Sequence, residues 1–320
     1  MKKQHNALLF CKKINRITMK IKNTFFVILL TCLGSYAQQD AQYTQYMYNT
    51  ITVNPAYAGS RGVMSIFGLY RTQWVGLDGA PETSSFSIHS PLGKNVGGGL
   101  SLVNDKLGPT QENTLSADLS YTIQTSAFYK LSFGIKGTAN FFNLDPNKLH
   151  SRDSQDPSLQ NFDNEFSPNI GVGAYFHSDK LYVGLSAPYL LETNRYNDNE
   201  VAINKEKMNL YLIGGYVFDL SSSVQFKPAF LLKRTVGAPL QLDVSGNFLF
   251  NEKLVLGIAW RWDAALSAMA GFQVTNGMYI GYGYDWETTK LNNYNSGSHE
   301  IFLRFELSNK QNRVVSPRFF

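Results

Sequence analysis

Residues 115–124 read LSADLSYTIQ, and every second position is apolar: Leu115, Ala117, Leu119, Tyr121 and Ile123 alternate with Ser116, Asp118, Ser120, Thr122 and Gln124. Successive side chains of a β-strand point to opposite faces, so this stretch predicts a strand with one greasy side and one wet side. The next stretch, 129–141, repeats the pattern, with Tyr129, Leu131, Phe133, Ile135, Ala139 and Phe141 opposite Lys130, Ser132, Lys136, Thr138 and Asn140. So do 240–250, 254–263 and the late run HEIFLRFELS, which sets Ile301, Leu303, Phe305 and Leu307 against Glu300, Arg304 and Glu306. From residue 63 onward helical periodicity is almost absent. The candidate strands are 63–74, 83–90, 96–104, 113–123, 128–142, 166–176, 180–189, 207–218, 223–233, 239–250, 253–263, 265–275, 278–287 and 298–308, an even number.

The connections sort into two kinds. Odd-numbered ones read WVGLDGAP, DKLGPTQE, a long run from Asn143 to Glu165, another near 190–206, TVGA, DA and TTKLNNYNSG; even-numbered ones read PLGKN, QTSA, HSD, LSSS, NE and TNG. Long and short mostly alternate, as in an outer-membrane barrel with extracellular loops and short periplasmic turns. A soluble sandwich has no reason to sort its loops this way. The expected fold is therefore all-β, a transmembrane antiparallel barrel of about 14 strands, closed because an open sheet edge in lipid would leave backbone groups unpaired. Mean hydropathy is −0.21, which suits a wall in which only alternate residues touch lipid. The 22 Phe, 18 Tyr and 4 Trp suit aromatic girdles at the two lipid–water boundaries.

The N-terminus reads as an export signal. A basic segment precedes the apolar run TFFVILLTCLG at 24–34, and SYA follows, so cleavage is expected after Ala37. The apolar run is shorter than the ~20 residues that a transmembrane helix needs. Met19 begins a signal of ordinary length and is an alternative start. The segment carries seven Lys and Arg and no acidic residue; the whole chain's 29 less those seven leave 22 against 24 Asp and Glu, a net of −2. The pI of 9.0 thus describes the precursor, and no basic patch argues for nucleic acid. Cys11 and Cys32 leave with the signal, so the mature chain has neither disulfides nor thiol chemistry.

Catalytic and cofactor signatures are weak. His89, His150, His177 and His299 lack metal-ligand spacing. His89 beside Ser90 and His299 beside Glu300 are the nearest approach to hydrolase parts, with no third partner in view. The Gly-rich VGGGL at 96–100 falls in a strand, where glycine marks a bend or a close approach. Asp145, Asp153, Asp156 and Asp163 share the longest loop and form a candidate calcium cluster, although a solvated acidic loop is the commoner meaning. No enzyme activity, cofactor or metal is expected.

Ahead of the first strand lies QYTQYMYNTITVNPAYAGS, residues 42–60. Tyr43, Tyr46, Met47 and Thr50 or Ile51 share one face at helical spacing, with Asp40 placed to cap a helix. Asn54–Pro55 then favours a turn, and Gly59 frees the chain to enter the barrel. Two roles are open: the segment covers the periplasmic end of the barrel, or its Tyr-rich face docks a partner. Residues 38–62 are accordingly read as a periplasmic segment able to act as a plug, 63–308 as the barrel and 309–320 as a periplasmic tail.

The chain also resembles a known family, the PorP/SprF outer-membrane proteins of the type IX secretion and gliding machinery of Bacteroidetes. The resemblance rests on DAQYTQYMYNTITVNPAYAGSRG at 40–62, YRTQWVGLDGAPETSSFSIHSPL at 70–92, VGGGLSLVNDKLGP at 96–109 and SPRFF at 316–320. It implies a non-enzymatic barrel that binds type IX secretion components, or that anchors or exports a surface protein carrying a type IX C-terminal domain. It carries over no catalytic residues. The expected partner contacts are Tyr43, Tyr46, Tyr48, Asn54, Pro55, Tyr57, Gly59 and, in the tail, Arg318. Outer-membrane lipids are the other expected partner. The rival reading is a porin-like solute channel, for which inward Lys130, Lys136, Asp118, Asp243, Arg261, Arg304 and Glu306 would suit a watery lumen. A barrel enzyme built on His89 or His299 is the third.

Overall fold

The computed structural model describes residues 43, 44, 46–145, 162–192, 194–196, 202–205 and 207–307. The chain divides into two units: Met1–Gln39 with Gly237–Pro239, which lies almost wholly outside the described residues, and Asp40–Val236 with Leu240–Phe320, which holds every strand of the fold. No described helix is long and apolar enough to cross a membrane.

The strands of the wall are β1 (Met64–Thr72), β2 (Glu82–Pro91), β3 (Val96–Leu107), β4 (Thr110–Gln124), β5 (Lys130–Leu144), β6 (Phe162–His177), β7 (Leu181–Ala187), β8 (Asn209–Tyr216, resuming at Phe218–Asp219), β9 (Val224–Thr235), β10 (Gln241–Phe250), β11 (Leu254–Arg261), β12 (Ala265–Thr275), β13 (Met278–Glu287) and β14 (Ser298–Leu307). Each pairs antiparallel with its chain neighbours, and β1 pairs with β14, from Met64 opposite Leu307 to Thr72 opposite His299. The sheet therefore closes into a 14-stranded barrel, with β8 against β9 completing the ring. Strands of about ten residues, tilted, span the ~25 Å apolar band of an outer membrane.

The alternation that predicts the strands sorts their side chains. In β4, Leu115, Leu119 and Tyr121 face outward and exposed, while Ser116, Asp118 and Ser120 are buried inside. In β5, Phe133 and Ile135 face outward, with Ser132, Lys136 and Thr138 inside. All the candidate strands are present, most within two residues of their expected ends.

The structure differs from expectation at three places. DKLGPTQE is a continuation of β3 and β4 into a hairpin turned by Gly108–Pro109, with Asp105 opposite Glu112 and Lys106 opposite Gln111. Both faces are wet there, so pairing persists where the apolar alternation has stopped. The loop near 190–206 carries a two-stranded ribbon, Asn194–Tyr196 against Ala202–Lys205. The helix expected ahead of β1 is three short 3₁₀ turns, Tyr46–Tyr48, Thr50–Thr52 and Pro55–Tyr57. Asn49 and Asn54 interrupt it with non-helical backbone, extended at Asn54, and Pro55 restarts it. Asp40 lies outside the described residues.

A charge placed on the lipid face at mid-wall should cost ~2–4 kcal/mol. We expect Leu119→Arg to lower the stability of the barrel to urea in lipid vesicles by that amount, and Leu119→Phe to leave it nearly unchanged.

Candidate functional site: a plugged lumen

The segment ahead of β1 lies inside the barrel. Its first described residue is held through the backbone, the Tyr43 carbonyl accepting a hydrogen bond from Arg261 Nη2 of β11 at 2.9 Å. At Thr44 the backbone N–H donates to Glu300 Oε2 at 2.8 Å, the hydroxyl donates to Asp285 at 2.7 Å, and Arg71 Nη1 donates to that hydroxyl at 2.5 Å. Arg71 also bonds Asp285 at 2.7 Å and approaches Glu300 at 3.4 Å, so one guanidinium from β1 joins carboxylates of β13 and β14 around a plug residue. Further along, Asn49 bonds Ser85 and Ser87 of β2, and Lys136 of β5 donates to the Ile51 carbonyl at 3.2 Å. Ser186 of β7 donates to the Val53 carbonyl, and Ser120 of β4 to the Ala58 carbonyl, each at 2.7 Å. At the far end Gly59 N–H donates to His89 Nδ1 of β2, and Arg61 forms an ion pair with Glu306 of β14. A segment that touches strands all round a closed ring can only be within it.

Its apolar side chains make a core there. Ile51 is fully buried, and Met47 is 2% exposed. Tyr48 packs on Phe302 and Tyr279, at ring-centroid distances of 4.8 and 5.5 Å, with Lys227 and Arg304 over its ring. Burying residues the size of Ile51 and Met47 contributes roughly 1.5–3 kcal/mol each. This is why some strands, β8 among them, are apolar on both faces: Tyr211 and Ile213 belong to the same interior cluster.

The wall makes room with glycine. A Cβ on Gly97 would collide with the Ala58 carbonyl oxygen, and one on Gly134 with the Ala56 nitrogen. On the plug side, Gly59 has φ +71° and packs against Gly97 Cα. The Asn54 side chain accepts from Ala56 N–H and donates to the Ala174 carbonyl, both at 3.0 Å, fixing the turn against β6. The close approach read from VGGGL is thus to the protein's own backbone.

The residues expected to meet a partner have a different position. Tyr46, Tyr48, Asn54, Pro55 and Tyr57 are buried inside the barrel, and Tyr43 and Gly59 are partly buried. Their side chains are committed to the wall, and the Tyr-rich face is not a free surface in this structure. Arg318 lies outside the described residues, as do the side chains of Asp153, Asp156 and Asp163. Among the described residues no group of His, Cys, Asp and Glu is arranged to hold a metal. His89 is inside the barrel against Tyr57, whereas His299 is beside Tyr282 on the outer face, with Tyr282 Oη 2.6 Å from His299 Nδ1. Neighbours along a strand face opposite ways, so neither His89 with Ser90 nor His299 with Glu300 forms a pair. Of the inward charges expected, Asp118 bonds Lys136, Asp243 bonds Arg261, and Arg304 approaches Glu306; Lys130 is exposed at a strand end. Arg71 and Asp285 are not among the expected site residues, and Glu300 is among them only as a partner of His299. Arg71 sits near the end of its strand, where alternation gives no sign of a buried cluster.

Fold and site together define a membrane β-barrel whose own N-terminal segment fills the lumen. The sequence profile described as type IX secretion system membrane protein PorP/SprF matches residues 35–305, and the chain belongs to that family. No curated protein matches the sequence. Among solved structures, the CymD monoaromatic hydrocarbon channel is similar at 10% identity and TM-score 0.49, over 86% of this chain and 96% of that one. A Pseudomonas aeruginosa FadL homologue is similar at 10% identity and TM-score 0.42, over 80% and 93%, and the KdgM porin at 10% and 0.39, over 76% and 99%.

Substitutions in the wall test the seat of the plug. Gly134→Ala forces a methyl into plug backbone and should destabilise by ~1–3 kcal/mol, while Gly137→Ala, with nothing within 4 Å of its Cβ, should change stability by less than ~0.5 kcal/mol. Arg71→Met removes the cation between Asp285 and Glu300 and should cost ~3–5 kcal/mol. The temperature at which the folded band is lost on a denaturing gel checks all three.

Proposed function

We propose that this protein is a non-enzymatic scaffold of the type IX secretion system, a closed outer-membrane barrel that binds other proteins. The long loops face outside and the short turns face the periplasm. Its partners are secretion components, or a surface protein with a type IX C-terminal domain that it anchors or helps export. The observation that carries this reading is the filled lumen: inward polar residues such as Lys227, Asn247 and Glu300 have 0% exposure. In a water-filled pore such side chains would be wet.

The rival is a solute channel, which the inward charges alone would favour. The plug counts against it, because those charges, Lys130 at its exposed strand end excepted, are taken up by one another and by the plug.

A pull-down of the tagged protein from its native outer membrane in mild detergent, read by mass spectrometry, tests the proposal. We expect secretion components or a large protein with a type IX C-terminal domain to co-purify. Recovery of the barrel alone would contradict the scaffold reading.

A further inference from the structure

The plug runs in one direction through the barrel. Its first described residues are held at the long-loop ends of four strands: Arg71 is next to last in β1, Asp285 third from last in β13, Glu300 third in β14 and Arg261 last in β11, with Asp243, third in β10, holding Arg261 in place. Its last residues are held at the short-turn ends: Gly59 by His89, third from last in β2, and Arg61 by Glu306, next to last in β14. Between them, Ile51 meets Lys136 in the middle of β5. The segment expected at the periplasmic end thus begins at the opposite mouth.

We infer that the chain ahead of Tyr43 leaves through the long-loop mouth, so that the N-terminal end of the processed protein is presented on the same face as the long loops. The lumen offers no return path, since wall side chains along it, Ser132, Lys227 and Asn247 among them, are fully buried. The tether is also too short: with processing after Ala37, five residues precede Tyr43, and fully extended they span ~17 Å, less than the ~25 Å height of the apolar band. That this face is the outer one rests on the orientation proposed above.

Cysteine labelling tests this, because the processed chain has no native cysteine. Tyr43→Cys keeps the backbone carbonyl that Arg261 bonds. Asn293→Cys marks the long-loop end and Ser222→Cys the short-turn end, both at exposed positions. Intact cells are treated with a membrane-impermeant maleimide. The expected result is labelling of Tyr43→Cys together with Asn293→Cys, and of Ser222→Cys only after lysis. Labelling of Tyr43→Cys only after lysis, together with Ser222→Cys, would overturn the inference. If Ser222→Cys labels in intact cells and Asn293→Cys does not, the proposed orientation falls; the inference then stands only if Tyr43→Cys still follows Asn293→Cys. An epitope inserted between Asp40 and Ala41 gives a second readout should the cysteine be shielded. Antibody access on the Asn293 side supports the inference, and access on the Ser222 side, or on neither, overturns it.

Discussion

Closure of the sheet by β1 against β14 is the constraint on which the rest depends. In hydrocarbon no water is available to an unpaired backbone group, so the first and last strands must satisfy each other, and they do so in unbroken register from Met64–Leu307 to Thr72–His299. Closure creates an inside, and alternation fills its wall with polar side chains. Those side chains need water or protein as partners. Here the partner is the segment that immediately precedes β1, so the closing strand and the filler are neighbours in sequence. The Arg61–Glu306 pair ties the end of the plug to β14 at that same seam.

The two kinds of plug contact have different effects. Burial of Ile51, Met47 and Tyr48 is a non-directional stabilisation, proportional to the area removed from water. Buried ion pairs do little for net stability, because desolvation offsets their attraction. The cluster of Arg71, Asp285, Glu300 and Thr44 instead has a geometry that only one position of the segment satisfies. It sets the height at which the apolar residues pack and the end of the barrel at which the segment begins. The wall glycines act in the same sense, since Gly97 and Gly134 admit backbone where any larger residue would exclude it.

Much of this architecture is legible in the sequence, for a physical reason. A strand between lipid and a polar lumen must alternate, so LSADLSYTIQ shows both its conformation and its two environments. The legibility fails where the environments stop differing. Beyond the membrane both faces of the β3–β4 hairpin are wet, and Asp105–Glu112 reads as loop. Inside, Ile213 and Tyr211 face protein rather than water, and β8 reads as apolar throughout. The segment at 43–62 is conspicuous for its tyrosines and its Asn–Pro turn, yet nothing local tells whether those rings face inward or outward. That depends on wall residues far along the chain, such as Phe302 and Tyr279, which come near Tyr48 only when the barrel closes.

Occupation of the lumen by the protein's own N-terminal segment is tested most directly by planar-bilayer conductance of the purified full-length protein. A plugged barrel is electrically silent, and removal of residues 43–61 from a barrel that still folds gives a steady conductance. A large, steady conductance from the intact protein would contradict a filled lumen.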